Sequence, residues 1–337
     1  MSAPFYRTFK QAKVKGFTKT VFSILAILLK RLLSPVKIIP NESVVQVNES
    51  KMLLYPIKGA IYEDLFLYKK REPFCTDYLM HSGVLKEGDV VLDIGANIGY
   101  YVLIESQLVG KNGKVYAAEP VRSNFELLKK NVQLNNLKNV SAFQFAFGEK
   151  DAKSEIYVTD KSNLCAMNKD AVGGKILFTQ EVPMQTVDTF FKDKAPPDFI
   201  RMDVEGYEYQ VIKGMAKTLK SNVKILIELH PWRPYLEPER MDELFDILER
   251  NNFRAQFAVL ENKVKENKIV TLFMKKAGDK LPIISANMSM QELRLFVESN
   301  LMLRVSPNVM FEKQVPSVGR RRATENVHVS EPRRDKN

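Results

Sequence analysis

Residues 90–101 read VVLDIGANIGYY, and this stretch decides the fold. Val90 to Ile94 is an aliphatic run with one acid, Asp93, and it delivers the chain into Gly95. A strand that ends in a glycine turn and opens a helix begins a nucleotide-binding βαβ unit. The phosphate-binding form of that turn reads G-x-G-x-x-G, and its middle glycine lets the backbone touch a pyrophosphate. Here Asn97 stands at the middle position and Tyr100 at the last, with Gly99 just before it. The pattern predicts the same strand–turn–helix serving a ligand that has no pyrophosphate.

Outward from this turn, apolar runs alternate with helical periods. Ile98 to Val109 is apolar at helical spacing, and a short run through KVYAAE ends at Glu119. RSNFELLKKNVQLNN places Phe125, Leu128 and Val132 on one helical face, and VSAFQFAFG, residues 140–148, alternates as a strand. DFIRMDVEG, residues 198–206, and VKILIELHP, residues 223–231, are two further strands that end in acids. MDELFDILERNN is an amphipathic helix, and RAQFAVL, residues 254–260, is expected to pair with KIVTLFMKK, residues 268–276, as an antiparallel closing hairpin. Strands separated by helices predict an α/β fold with a mostly parallel sheet and helices on both faces, binding its ligand at the carboxyl ends of the strands. Residues 150–185 break the rhythm and read as an insertion, partly β, over the site. Ser289 and Glu292 stand at capping-box spacing and predict a helix there.

Charge divides the 337 residues into a neutral body and two basic ends. Residues 1–41 hold eight Lys or Arg and no acid, residues 312–337 carry +3, and the 270 residues between are balanced at 36 and 36. A nucleic-acid enzyme carries its positive field in the binding groove, so the neutral body argues against a nucleic-acid substrate. The run Val21–Leu29 is nine residues long before Lys30 and Arg31, against about 20 for a membrane span. The expected organisation is a basic amphipathic segment over 1–41, the main domain over 42–280, a helical extension over 281–311 and a disordered basic tail over 312–337. The expected location is cytoplasmic, with the N-terminal segment either lying on the anionic inner face of a membrane or docked on the domain. Oligomeric state is not legible. The two cysteines, Cys75 and Cys165, have no metal or redox spacing.

A carboxylate at Glu119, closing the second strand, suits a ribose diol, because it accepts from both hydroxyls at once. A ligand with a ribose and no phosphate tolerates Asn97, and S-adenosylmethionine is such a ligand. Asp93 and the carbonyls of the turn, Gly95, Ala96, Asn97 and Gly99, are acceptors for its ammonium. Tyr100 and Tyr101 either bring a ring toward the sulfonium or fill the core as helix residues.

At this point the chain resembles the FkbM-type methyltransferases. VVLDIGANIGYY, AAEPVRSNFELLKKNVQLN, TVDTF, IRMDVEGYEYQVIKG and ILIELHP occur in the order of that family, over roughly residues 60–275. The resemblance implies a seven-stranded Rossmann-like fold and methyl transfer from S-adenosylmethionine, typically to a hydroxyl on a sugar or polyketide-like acceptor. It places Asp93, Gly95, Asn97 and Gly99 at the methionine end of the cofactor, Glu119 at the ribose and Ala146 beside the adenine. It does not extend to the basic N-terminus or beyond residue 280. The alternative reading is a catalytically silent methyltransferase fold kept as a binding protein at the membrane surface.

An alcohol is a poor nucleophile at neutral pH, so a base is expected. Asp203 and Glu205 stand two apart at the end of one strand, and Glu228 and His230 two apart at the end of the next, so each pair can face one cleft. Asp203 also reads as a cofactor contact and Glu205 as a helix cap. His230 has the better intrinsic match as a base, with a reference pKa of about 6.5. A divalent metal, Mg or Mn, on this cluster is an alternative that the sequence does not favour.

Overall fold

The computed structural model describes residues 42–55, 61, 65, 66, 69–161, 164–169, 172, 174–231, 238–260, 283–301 and 306–314. The basic segment 1–41, the expected strand 268–276 and the tail from residue 315 lie outside the described residues. Among the described residues no helix is long and apolar enough to cross a membrane.

The centre of the molecule is the strand read first, β3 (Val90–Ile94), paired in parallel on both sides. On one side lie β4 (Lys114–Ala118) and β5 (Val140–Phe143), and on the other β9 (Phe199–Met202) and β10 (Lys224–Glu228), all parallel. The order of strands therefore reverses beside β3, which opens a crevice at its carboxyl end. Beyond β10 the sheet closes with β13 (Asn308–Lys313), then β11 (Phe253–Val259), then β12 (Ile283–Met288) at the edge. β13 is antiparallel to both β10 and β11, and β12 is antiparallel to β11. The seven expected strands are thus present with an eighth at the edge. β11, which the sequence paired with 268–276, is paired instead with β13 on one side and β12 on the other. Residues 281–311, expected to be helical, also supply two strands, and the expected tail begins inside one of them.

Alternation along the strands gives each face its own core. Leu92, Ile94, Ile200, Met202, Ile225 and Ile227 face a layer that includes α4 (Val187–Phe190), α5 (Glu208–Lys213), α6 (Pro238–Arg250) and α7 (Met290–Leu301). Val91, Val115, Phe199 and Leu226 face α1 (Pro73–His81), α2 (Tyr100–Val109) and α3 (Arg122–Leu134). A hairpin, β1 (Ser43–Val47) and β2 (Ser50–Leu54), docks on α3, where Asn131 accepts from the Leu53 N–H at 2.7 Å and Asn135 from that of Lys51 at 2.9 Å. The predicted capping box starts α7: Ser289 Oγ accepts from the Glu292 N–H and Glu292 accepts from the Ser289 N–H. Leu293, Phe296 and Val297 of that helix are buried in the first core.

The insertion over 150–185 folds as a separate small sheet. β6 (Ala146–Phe147), β8 (Ile176–Gln185) and β7 (Ala152–Thr159) pair in that order, β6 parallel and β7 antiparallel to β8. The stretch VSAFQFAFG, expected as one strand, is split between the two sheets at residues 144 and 145.

Phe311 is wholly buried in β13, so truncating it tests whether this segment is core or tail. Phe311→Ala should lower the unfolding free energy by about 3–5 kcal/mol. The measurement is the urea midpoint with an unchanged m-value.

Candidate active site

The turn after β3 is held by backbone geometry that the sequence dictates. Gly95 and Gly99 have left-handed φ angles of 81° and 91°. A β carbon on Gly95 would lie 1.9 Å from the Asp203 carbonyl oxygen, so only glycine lets β9 come this close. A β carbon on Gly99 would strike Leu128 of α3, which makes that glycine a packing requirement between helices. Asn97 also adopts a left-handed φ, of 50°, which asparagine tolerates because its side chain bonds locally; its Oδ1 accepts from the Ile98 N–H at 2.8 Å. The Asn97 N–H donates to Glu119 Oε2 at 2.8 Å, and the Val121 N–H donates to Glu119 Oε1 at 2.9 Å. The carboxylate at the end of β4 thereby clamps the turn after β3.

These elements wall a cleft of about 940 Å³, part of it open to solvent. Gly95, Ala96, Asn97, Tyr100, Glu119, Ala146, Asp203 and Glu205 all line it, as the sequence led one to expect. The insertion contributes Ile156, Cys165, Ala166 and Met167, so it covers one side of the cleft. Glu119 is almost entirely buried, and burial, partly offset by its two backbone donors, pushes its carboxyl up to about 7.

Asp93, expected to meet the cofactor's ammonium, is not among the residues lining the cleft. It follows Val91 on the α2 face of β3 and is fully buried. In the parallel register it lies opposite Arg201 of β9, and Arg201 Nη1 donates to Asp93 Oδ1 at 3.2 Å. Arg201 Nη2 donates to Asp203 Oδ2 at 3.3 Å, and the guanidinium carbon sits 3.9 Å from the centre of the Tyr101 ring. That ring faces a guanidinium. The Tyr101 hydroxyl donates to Glu72 at 2.7 Å, and the Tyr100 hydroxyl lies 3.0 Å from Thr76 Oγ1, so both phenols are tied down at their far ends. Burial pushes the Asp93 carboxyl up against the pull of Arg201. Burial opposes ionisation of Asp203 too, yet Arg201 and His230 together hold it below the ordinary carboxylate range.

Behind Asp203 lies a knot of acids around one imidazole. His230 Nδ1 is 2.7 Å from Glu208 Oε1, while its Nε2 lies 3.5 Å from Glu205, 3.9 Å from Asp203 and 3.9 Å from Glu228. Burial alone would lower the pKa of His230; Glu205, Glu208 and Glu228 outweigh it and push it up to about 10. His230, expected as a base, is buried and is not among the residues lining the cleft, and the acids around it favour the protonated ring. Glu205 has a left-handed φ of 53°, rare for a side chain of this kind, and α5 starts only at Glu208, so it is no cap for that helix.

Sequence reading missed Arg71 and Arg201 among the residues lining the cleft. The signal for Arg201 was present: it is the one charge inside the apolar strand FIRM. Arg71, in a segment with no period, gave none. Its Nε donates to Glu72 at 2.7 Å.

A reversing parallel sheet with an antiparallel strand beside β10 is a Rossmann-like architecture, with its cleft where the strand order reverses. Residues 93–255 match the model of the methyltransferase FkbM domain. Hexuronic acid methyltransferase AglP of Haloferax volcanii is 26% identical over 157 residues, covering 43% of this chain and 57% of that protein. The chain thus spans little more than half the length of that relative. Methyltransferase sdnD of Sordaria araneosa is 25% identical over 220 residues, 55% of this chain and 83% of that one. A solved S-adenosylmethionine-dependent O-methyltransferase from Thermotoga maritima is similar at 15% identity and a TM-score of 0.38, over 83% of this chain and 79% of that one.

Arg201→Ala leaves Asp93 and Asp203 buried without their cation. It should cost about 3–5 kcal/mol of unfolding free energy at pH 7, read from denaturant titration. The deficit should shrink as pH falls below 4, because protonated carboxyls no longer need the guanidinium. A pH-independent deficit would mean that Arg201 acts by packing alone.

Proposed function

We propose that this methyltransferase acts on a hydroxyl oxygen of a sugar-bearing acceptor, a glycan or a lipid-linked or other small molecule. The observation that carries the reading is the pair Asp203 and Glu205. Both line the cleft at the end of β9, beside the glycine turn where the cofactor is expected. A hydroxyl acceptor needs a proton acceptor at that place, and an acidic cluster there meets the need. The relative named for hexuronic acid supports a sugar acceptor, and the neutral body argues against nucleic acid.

The residues present fit S-adenosylmethionine. The Glu119 carboxyl faces the cleft with acceptor capacity beyond its two backbone donors, which suits two ribose hydroxyls. Gly95, Ala96, Asn97 and Gly99 shape the turn that receives the methionine end. Asp93 serves that turn from beneath, through Arg201. Ala146, with Phe145 and Phe147, gives an apolar wall suited to an adenine. When bound, the cofactor supplies an electrophilic methyl group on a sulfonium. Glu205 accepts the proton of the acceptor hydroxyl, Asp203 holds that hydroxyl in place, and the small sheet of the insertion keeps water from one side. His230 acts on these carboxylates from behind, as their counter-charge.

The purified chain incubated with methyl-labelled cofactor and a panel of uronic-acid glycosides, neutral glycosides and polyprenyl-linked sugars should add 14 daltons to one class, read by mass spectrometry. Glu205→Gln should lower the rate roughly 100-fold while cofactor affinity changes little. Transfer only to amines or to nucleic acid would sink the hydroxyl reading.

A second measurement concerns Glu119. Ribose hydroxyls donate to a carboxylate, so a carboxyl near 7 in the free protein must lose its proton on binding. Cofactor affinity by calorimetry should therefore fall up to about tenfold from pH 7 to pH 6 and stay level above pH 8. Glu119→Ala should weaken binding at least about tenfold at pH 8 and remove this dependence. Unchanged affinity in that variant removes the ribose assignment.

A further inference from the structure

We propose that Asp203, Glu228 and His230, at the carboxyl ends of β9 and β10, form a divalent-cation site that takes Mg²⁺ or Mn²⁺. One donor atom from each of the three residues lies within 4.8 Å of the others. Oxygen and nitrogen ligands stand about 2.1–2.4 Å from such ions, so two ligands facing each other across the ion are about 4.2–4.8 Å apart. The cluster is therefore at ligand spacing with no backbone movement required. β9 and β10 are parallel neighbours, which brings Asp203, one residue past β9, beside Glu228 at the last position of β10.

Three observations apart from the spacing point to a cation. The far nitrogen of the imidazole, Nδ1, is held by Glu208 at 2.7 Å, and Glu208 is itself fully buried and accepts from the Gly206 N–H at 3.0 Å. A carboxylate on the far nitrogen is the arrangement that orients a ligating histidine; the ion takes the place of the Nε2 proton, which leaves to solvent, and becomes the counter-charge of the carboxylates in its stead. Glu228 Oε2 is sealed from solvent and has no hydrogen-bond partner among the described residues, a costly state that a cation relieves. Finally, four carboxyls, Asp203, Glu205, Glu208 and Glu228, surround the one imidazole, and the guanidinium of Arg201 on their flank is already shared with Asp93. The donor set, oxygens with a single imidazole, selects Mg²⁺ or Mn²⁺ over thiophilic metals.

The site lies between the cleft, which Asp203 lines, and the interior. A hydroxyl that reaches the ion is polarised and gives up its proton more readily. That proton passes to Glu205, the carboxylate of the cluster that lines the cleft and is not one of the three ligands. This role deepens the hydroxyl reading above and rests on it; the binding of the ion does not.

The test uses the full chain, stripped with a chelator and titrated with Mn²⁺ in the absence of cofactor and acceptor. Electron paramagnetic resonance should show one saturable Mn²⁺ per chain, displaced by Mg²⁺, with hyperfine coupling to one imidazole nitrogen. Glu228→Gln and His230→Gln should each weaken Mn²⁺ binding at least about tenfold, and the nitrogen coupling should vanish in the second. Cofactor affinity of the same variants reports whether they fold, and if they do not, the nitrogen coupling of the unaltered chain decides. Absence of saturable binding, or Mn²⁺ bound without nitrogen coupling, overturns the site. Hydroxyl methylation that survives chelation in a chain without Mn²⁺ binding would overturn the site and leave the hydroxyl reading intact. Mn²⁺ binding in a chain that methylates no hydroxyl would do the reverse.

Discussion

The guanidinium of Arg201 lies where the sheet, the glycine turn and the cleft meet. It projects from a central strand onto the face covered by α2, in a mostly apolar layer that also buries Glu105 of that helix. There it joins Asp93, at the end of β3, to Asp203, just past the end of β9, and rests on the ring of Tyr101. These two strand ends flank the point where the strand order reverses, so the bridge fixes the two walls of the crevice relative to each other. Replacing such a network with aliphatic side chains would often stabilise a fold. Its value here is positional: it aims two carboxyls and holds that of Asp203 below the ordinary range, although burial still pushes that of Asp93 up.

The same logic explains the division of labour across the cleft. On the side of β3 and β4, backbone N–H groups of the turn are spent on Glu119, so that wall is a rigid, pre-satisfied surface with one buried carboxyl exposed to the ligand space. On the side of β9 and β10, the carboxyls outnumber their donors, and Glu228 and Glu208 each keep a buried oxygen without a hydrogen bond among the described residues. The first wall suits recognition of a ligand with a fixed set of hydroxyl donors. The second is high in energy until something cationic or proton-bearing arrives, which is the condition expected of a reacting face.

How much of this was legible in the sequence follows from what each signal depends on. VVLDIGANIGYY, Glu119 and the MDVEG turn were read correctly as neighbours because strand–turn–helix units are local and their glycines are steric necessities, as the clash of a Gly95 β carbon with Asp203 shows. The partners of β11 were not read because β12 and β13 lie roughly 25 and 50 residues beyond it, and pairing at that distance leaves no local trace. Asp93 was assigned to the cleft because strand-end acids in such turns can face it. Its partner, Arg201, is 108 positions away, and only the register of β3 on β9 reveals that the carboxylate is already engaged. His230 was chosen as base on its reference pKa with neighbouring carboxylates expected to raise it; four of them lie within 4 Å of its ring, and the extent of that crowding has no trace in the spacing of the sequence.

The insertion completes the argument about specificity. Its three strands form a sheet separate from the main one, attached through β6, and its Ile156, Cys165, Ala166 and Met167 turn apolar and weakly polar surface toward the cleft. Surfaces of that kind exclude water and discriminate shape, and they supply no charge for an acceptor to meet. Among the described residues that line it, the charged ones are Arg71, Glu119, Arg201, Asp203 and Glu205, none of them on the insertion. On the proposed reading, the position of the reacting hydroxyl is set by the scaffold strands, and the identity of the molecule that carries it by the inserted sheet. Two proteins that share the turn and the MDVEG strand end but differ over residues 150–185 would accordingly share chemistry and differ in acceptor, because the two properties reside on elements that pack in different cores.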